Sequence, residues 1–315
     1  MGLGLASLGR PAYINLGHAE DLGGDRSVRT LERHCHRVLS AAWKAGVRHY
    51  DVARSYGRGE DFLASFLKVV DPRGTAATVS SKWGYTYTAG WRVYVDVHEE
   101  KDHGLATLER QWPESEARLG RWLRLYQIHS VTPDSPALGD TALLDRLREL
   151  RAAGTRIGLS VSGSSQAATI RAALAVHRDE PVFDAVQATW NLLETSAGAG
   201  LAEAKSHGLQ VIVKEALANG RLTRRNMEGS FANSAEMLAR EAERLSTTMD
   251  GLCLAAALAQ PWADVVLSGA STVDQLHDNL GATKIELERR TLVRLAGLAE
   301  APMAYWRRRA RLRWT

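Results

Sequence analysis

The feature that most constrains this chain is an alternation of short β-like runs with amphipathic helical stretches, sustained from residue 3 to residue 280. Apolar runs with strand character fall at 3–8, 47–52, 77–82, 123–129, 156–161, 183–188, 209–213 and 265–267. Between them the apolar period lengthens. Leu31, Cys35, Val38, Leu39 and Ala42 mark a helix over 30–45, ended by Gly46. Leu143, Leu144, Leu147 and Leu150 mark another, stopped by Gly154. Further helices read at 60–69, 104–119, 166–176, 196–206 and 272–280, and a longer stretch at 234–260 is broken by Asp250-Gly251 and ended by Pro261. Such alternation implies a parallel sheet with helices on its faces. Eight units with no midpoint, linker or exact repeat favour a single (β/α)8 TIM barrel over residues 1–315, with an additional C-terminal helix and tail.

Composition narrows the partners. Hydrophobic residues make up 45% and charged residues 24% of 315, the balance of a globular chain. The net charge is +4, and its excess is concentrated in Arg307, Arg308, Arg309, Arg311 and Arg313, which read as a solvated C-terminal cap. No zinc-finger spacing or basic-plus-heptad pattern accompanies them, so no nucleic-acid partner is expected. No apolar run approaches the ~18 residues of a membrane helix, so no membrane partner is expected either. The first residues lack a basic segment ahead of an apolar one. Cys35 and Cys253 both lie in apolar helical patterns and read as buried thiols. Together these features point to the cytoplasm.

In such a barrel, chemistry collects at the C-terminal ends of strands. The second run ends at Asp51, with Tyr56 in the loop beyond; the third ends at Lys82 and the fourth at His129. A carboxylate, a phenol, an ammonium and an imidazole would converge at one mouth. The eighth run ends in Ser268-Gly269-Ala270-Ser271-Thr272 and opens a helix, offering backbone N–H groups and hydroxyls as an anion seat.

These residues resemble those of the aldo-keto reductase superfamily. The likeness rests on Gly46-Val47-Arg48-His49-Tyr50-Asp51-Val52-Ala53-Arg54-Ser55-Tyr56-Gly57 with Glu60, on Ser81-Lys82-Trp83, Gln127-Ile128-His129, Gly158-Leu159-Ser160, Gln187 with Asn191, and the segment from Ser268 to Asn279. It implies an NAD(P)H-dependent oxidoreductase acting on a small carbonyl or alcohol, with Asp51, Tyr56, Lys82 and His129 catalytic. It assigns Ser160 and Gln187 to the nicotinamide carboxamide, Trp190 to stacking on that ring, and the loop carrying Leu217, Asn219, Gly220 and Leu222 to covering the pyrophosphate. Ser268, Gly269, Ser271 and Thr272 would seat phosphate, and Gln275, Asp278 and Asn279 would face the adenine. The family usually prefers NADP, and the Ser271 and Thr272 hydroxyls could receive its extra phosphate. NAD is the alternative, because Gly269 and Gln275 stand where the family commonly carries cations. Val52, Ala64 and Val161 also depart from the usual pattern, and the common N-terminal hairpin is absent or reduced.

No side chain supplies hydride, so a nicotinamide cofactor must. Tyr56 is the expected proton donor, its phenol lowered from ~10 by the Lys82 charge. Asp51 would hold Lys82, and His129 would orient the substrate oxygen. Trp83, Tyr85, Tyr87 and Trp306 are expected to line a pocket for a flat or sugar-like ligand. Two other readings compete. One is a reductase-like regulatory subunit that binds cofactor with little turnover; the other is a barrel lyase or isomerase. No metal is expected: His34 and His36 sit on successive faces of a helix about 100° apart per residue, and His98 and His103 are one place too far apart for a zincin motif.

Overall fold

The structure, a computed structural model, describes residues 1–315 apart from the side chains of Arg178 and Asp179. Eight parallel strands close into a barrel: β1 (Gly2–Gly4), β2 (His49–Asp51), β3 (Thr78–Trp83), β6 (Leu123–Val131), β7 (Arg156–Val161), β8 (Ala185–Thr189), β9 (Gln210–Lys214) and β10 (Val265–Ser268). Between β3 and β6 lies a short antiparallel hairpin, β4 (Tyr85–Tyr87) with β5 (Glu99–Lys101). β1 bonds to β10 on one side, with Leu3 opposite Ser268, and to β2 on the other, with Gly4 opposite Asp51. That registry brings the first, second and last strand ends together at one rim.

Around the barrel run α1 (His18–Leu22), α2 (Val28–Lys44), α3 (Gly59–Val70), α4 (Leu105–Leu119), α5 (Thr141–Ala152), α6 (Gln166–Asp179), α7 (Gly198–Ser206), α8 (Ala232–Arg244), α9 (Met249–Leu258), α10 (Val273–Gly281), α11 (Arg289–Ala296) and α12 (Pro302–Ala310). The apolar stripe read over α2 is buried: Leu31, Cys35, Val38, Leu39 and Ala42 all lie in the hydrophobic core. Side-chain caps fix several starts. Ser27 accepts from the Thr30 N–H, Asp140 from Leu143, Thr248 from Gly251 and Thr272 from Gln275.

Three expectations are corrected, and a hairpin and a short helix are added. The strand expected over 3–8 ends at Gly4, because Leu8 and Gly9 both turn back to bond the Leu5 carbonyl. The stretch 234–260 divides earlier than Asp250-Gly251. Ser246 takes a left-handed φ of 51°, and Thr248 caps a new helix whose first turn contains both residues. The β4–β5 hairpin and α1 had no clear periodicity. The arginine-rich tail is more than a solvated cap: Arg308 pairs with Glu300, Arg309 pairs with Glu215, and Thr315 exchanges two backbone hydrogen bonds of 3.2 Å with Tyr13.

Candidate active site

At the strand C-termini lies a cleft of about 570 Å³, within the ~300–1,000 Å³ of ligand pockets. Asp51, Tyr56 and His129 line one end of it. Lys82 lies directly behind, almost wholly buried. Its Nζ donates to the Asp51 carboxylate and, at 3.0 Å, to the Val52 carbonyl. Asp51 also accepts from Ser80 Oγ at 2.6 Å and Gln187 Nε2 at 2.9 Å. Lys82 Nζ stands 5.2 Å from the Tyr56 ring centre, and the Tyr56 and His129 rings meet edge to face at 5.6 Å. The four side chains expected to be catalytic are therefore brought together.

The charge balance on Tyr56 differs from expectation. Burial pushes its phenol well above the usual tyrosine range; Asp51 adds to this, Arg10 opposes it, and Glu99 and Glu215 add again. Lys82 is paired with Asp51, so its charge is largely offset next to the ring. Tyr56 is thus held as a protonated acid. His129 is held neutral, first by burial and then by the Lys82, Lys214 and Arg10 charges around it. A neutral imidazole and a phenol can both hydrogen-bond an uncharged carbonyl oxygen.

Around this end stand groups that the sequence reading did not select. Arg10 donates to Glu99 at 2.9 Å, and its guanidinium lies 4.9 Å from the Tyr56 ring centre, 5.0 Å from Tyr13 and 4.7 Å from Trp314. Lys214 ends β9 and donates to Thr189 at 3.0 Å; burial outweighs the help of Glu215 and lowers its ammonium to about 8. Burial pushes the Glu215 carboxyl upward, but Arg309 and Lys214 outweigh it and hold the group at about 2. Only Lys214 could have been found from the sequence, as the polar end of a strand.

The residues assigned to the cofactor divide into two sets. Gln187, Leu217, Asn219, Gly220, Ser268, Gly269, Ser271, Gln275, Asp278 and Asn279 line the cleft. Ser160, Trp190, Leu222 and Thr272 do not. Ser160 accepts the Ser130 N–H at 2.7 Å and so anchors the left-handed turn after His129. Trp190 packs edge-on against Trp262 at 5.7 Å, on the helix side of its strand. Leu222 is core, and the Thr272 hydroxyl accepts from the Gln275 N–H. Trp83, Tyr85, Tyr87 and Trp306 are also absent from the lining, and Tyr13 and Trp314 join Tyr56 as its aromatic surface. His98 stacks on Trp314 at 4.0 Å, and His103 bonds the His129 carbonyl.

The cleft fits an extended polar ligand. Asn219 Oδ1, Asn279 Oδ1 and His129 Nδ1 are buried without a partner among the described residues, and each belongs to a lining side chain. The loop after β9 takes left-handed φ values at Glu215, Ala218, Asn219 and Gly220, which fold it across the cleft to meet Asn15 and Leu16. The first two are unfavourable for side-chain-bearing residues, a feature often found at binding sites.

The comparisons with known proteins agree with this geometry. The profile of the aldo/keto reductase family matches residues 13–300, and the chain belongs to that family. A curated aldo-keto reductase from Gibberella moniliformis (strain M3125 / FGSC 7600) is 30% identical over 187 residues, which is 59% of this chain and 51% of that protein. The chain thus matches about half the length of that relative. Among solved structures, an aldo-keto reductase from Bacillus halodurans in its holo form aligns with a TM-score of 0.72 and 21% identity, over 96% of this chain and 92% of the other. A glycerol dehydrogenase from Gluconobacter oxydans aligns with a TM-score of 0.72 and 18% identity, over 94% and 90%.

Proposed function

We propose that the protein interconverts a small aldehyde or ketone with its alcohol, with Tyr56 as general acid and base. The observation that carries this reading is the convergence of Tyr56 and His129 in one cleft, with the Asp51–Lys82 pair buried behind them. A nicotinamide cofactor would supply or accept the hydride. The substrate oxygen would accept hydrogen bonds from Tyr56 and His129. As negative charge develops on that oxygen, Tyr56 delivers its proton, and the buried Lys82 ammonium stabilises the phenolate left behind. Gln187 and Ser80 fix Asp51, which fixes Lys82. Ser160 sets the turn that aims His129.

Gln187, Asn219, Gly220, Ser268, Gly269, Ser271, Gln275, Asp278 and Asn279 would hold the cofactor. The sequence resemblance favours NADP, with NAD as the alternative. At the catalytic end the charged groups Arg10–Glu99 and Arg309–Glu215 are paired, which suits a polar, uncharged substrate. The buried thiols of Cys35 and Cys253 suit a reducing cytoplasm.

The test is a titration with reduced nicotinamide dinucleotides, read by their fluorescence, followed by mixing with an activated benzaldehyde. Saturable binding and steady loss of reduced cofactor are expected. Binding without turnover would replace this reading with that of a regulatory subunit. Absence of binding would favour a lyase or isomerase.

A further inference from the structure

The end of the cleft remote from Tyr56 is lined by Asp21, Arg224, Arg225, Thr248, Asp250, Gln275 and Asp278. If hydride is exchanged beside Tyr56 and His129, the adenosine half of a dinucleotide reaches this end. What lies there is an organised carboxylate. Asp21, on α1, has a side chain only 7% exposed. Arg225 donates to its two oxygens at 2.8 and 2.5 Å, and Gln275 Nε2 lies 3.0 Å from each. Arg225 also donates to the Leu16 and Gly17 carbonyls, so α1 is tied to the loop after β9. Gly17 is needed for this approach: its φ is 74°, and a Cβ there would lie 2.5 Å from Arg225 Nη1.

The groups that the sequence offered to a ribose phosphate are engaged elsewhere. Gln275 turns its carbonyl to the Ser271 N–H at 2.8 Å and its amide to Asp21. The Thr272 hydroxyl takes the Gln275 N–H as a helix cap. The Arg225 charge is paired with Asp21. Asp250 and Asp278 add two more carboxyl groups, crowded enough that burial and then Asp278 push Asp250 up to about 6.

We propose that Asp21 is a specificity-determining residue that makes this enzyme select NAD over NADP. A 2′-phosphate would bring negative charge against Asp21, and among the described residues lining this end the cation without a carboxylate partner is the exposed Arg224. A free 2′-hydroxyl, by contrast, can donate to a carboxylate, the arrangement by which acidic side chains select NAD in other dinucleotide sites. The inference rests on the oxidoreductase reading above and reverses the preference suggested by family resemblance.

Calorimetric titration of the full chain with NAD+ and with NADP+ tests it, in the parent and in Asp21→Asn. Like-charge juxtaposition at a binding surface is disfavoured, softened here by the Arg225 pair, so the parent should bind NAD+ at least about tenfold more tightly. Asp21→Asn should shrink that ratio about tenfold, chiefly by tightening NADP+, because Arg225 is released to the phosphate. NADP+ binding as tightly as NAD+ in the parent would overturn the inference, whether or not the variant folds. So would an unchanged ratio in a folded Asp21→Asn. If neither dinucleotide binds, the oxidoreductase reading itself fails and takes this inference with it.

Discussion

At the scale of single residues, the site is governed by which charges are paired. Lys82 and Asp51 neutralise each other behind Tyr56, so burial decides the phenol and keeps it protonated. Asp250 shows the opposite situation. Its neighbours are Asp278, Arg224 and Arg225, and burial together with Asp278 raises it to about 6, against ~3.9 for an unfolded aspartate. The folded protein therefore binds more protons between those values, and stability falls as pH rises through that window. Asp250→Asn should accordingly raise Tm above pH 6, with the gain disappearing near pH 4. A gain of equal size at both pH values would show that crowding of carboxylates is not its source.

At the scale of elements, the four positions proposed as catalytic were legible because three sit at strand ends that the apolar pattern marks and Tyr56 follows β2 in the adjoining loop. Asp51 closes β2, Lys82 is the penultimate residue of β3, and His129 lies near the end of β6. The rest of the mouth was not legible, because it is built by segments without periodicity. Arg10 and Tyr13 lie in the irregular segment beyond the strand expected at 3–8, Glu99 in an unrecognised hairpin, and Arg309 and Trp314 in a tail read as solvated. Contacts between residues far apart in the chain, such as Arg309 with Glu215 across 94 positions, leave no local trace in a single sequence. Arg309→Met tests this part of the wall. It strips Glu215 of its cation partner, and because Arg309 is 25% exposed the loss should be on the order of 2 kcal/mol, below that of a fully buried pair. Chemical denaturation measures it. An unchanged midpoint would show that the 309–315 segment does not hold the mouth.

At the scale of the whole molecule, barrel closure is what turns residues far apart in the chain into one site. β1 links β10 to β2, so the segment from Ser268 to Asn279 borders the same cleft as Asp51 and Tyr56. The alternation of elements foretold that closure. It did not foretell that Trp190 would face the helices or that Ser160 would support a turn, since strand-end position alone does not fix which way a side chain points. The central claim is that proton delivery by Tyr56 is separate from the groups that hold the cofactor. Single-turnover oxidation of reduced dinucleotide by an activated benzaldehyde, compared between the parent and Tyr56→Phe, tests it most directly. The account predicts nearly unchanged dinucleotide affinity with hydride transfer slowed by ~10²–10⁴-fold; transfer at close to the parent rate would contradict it.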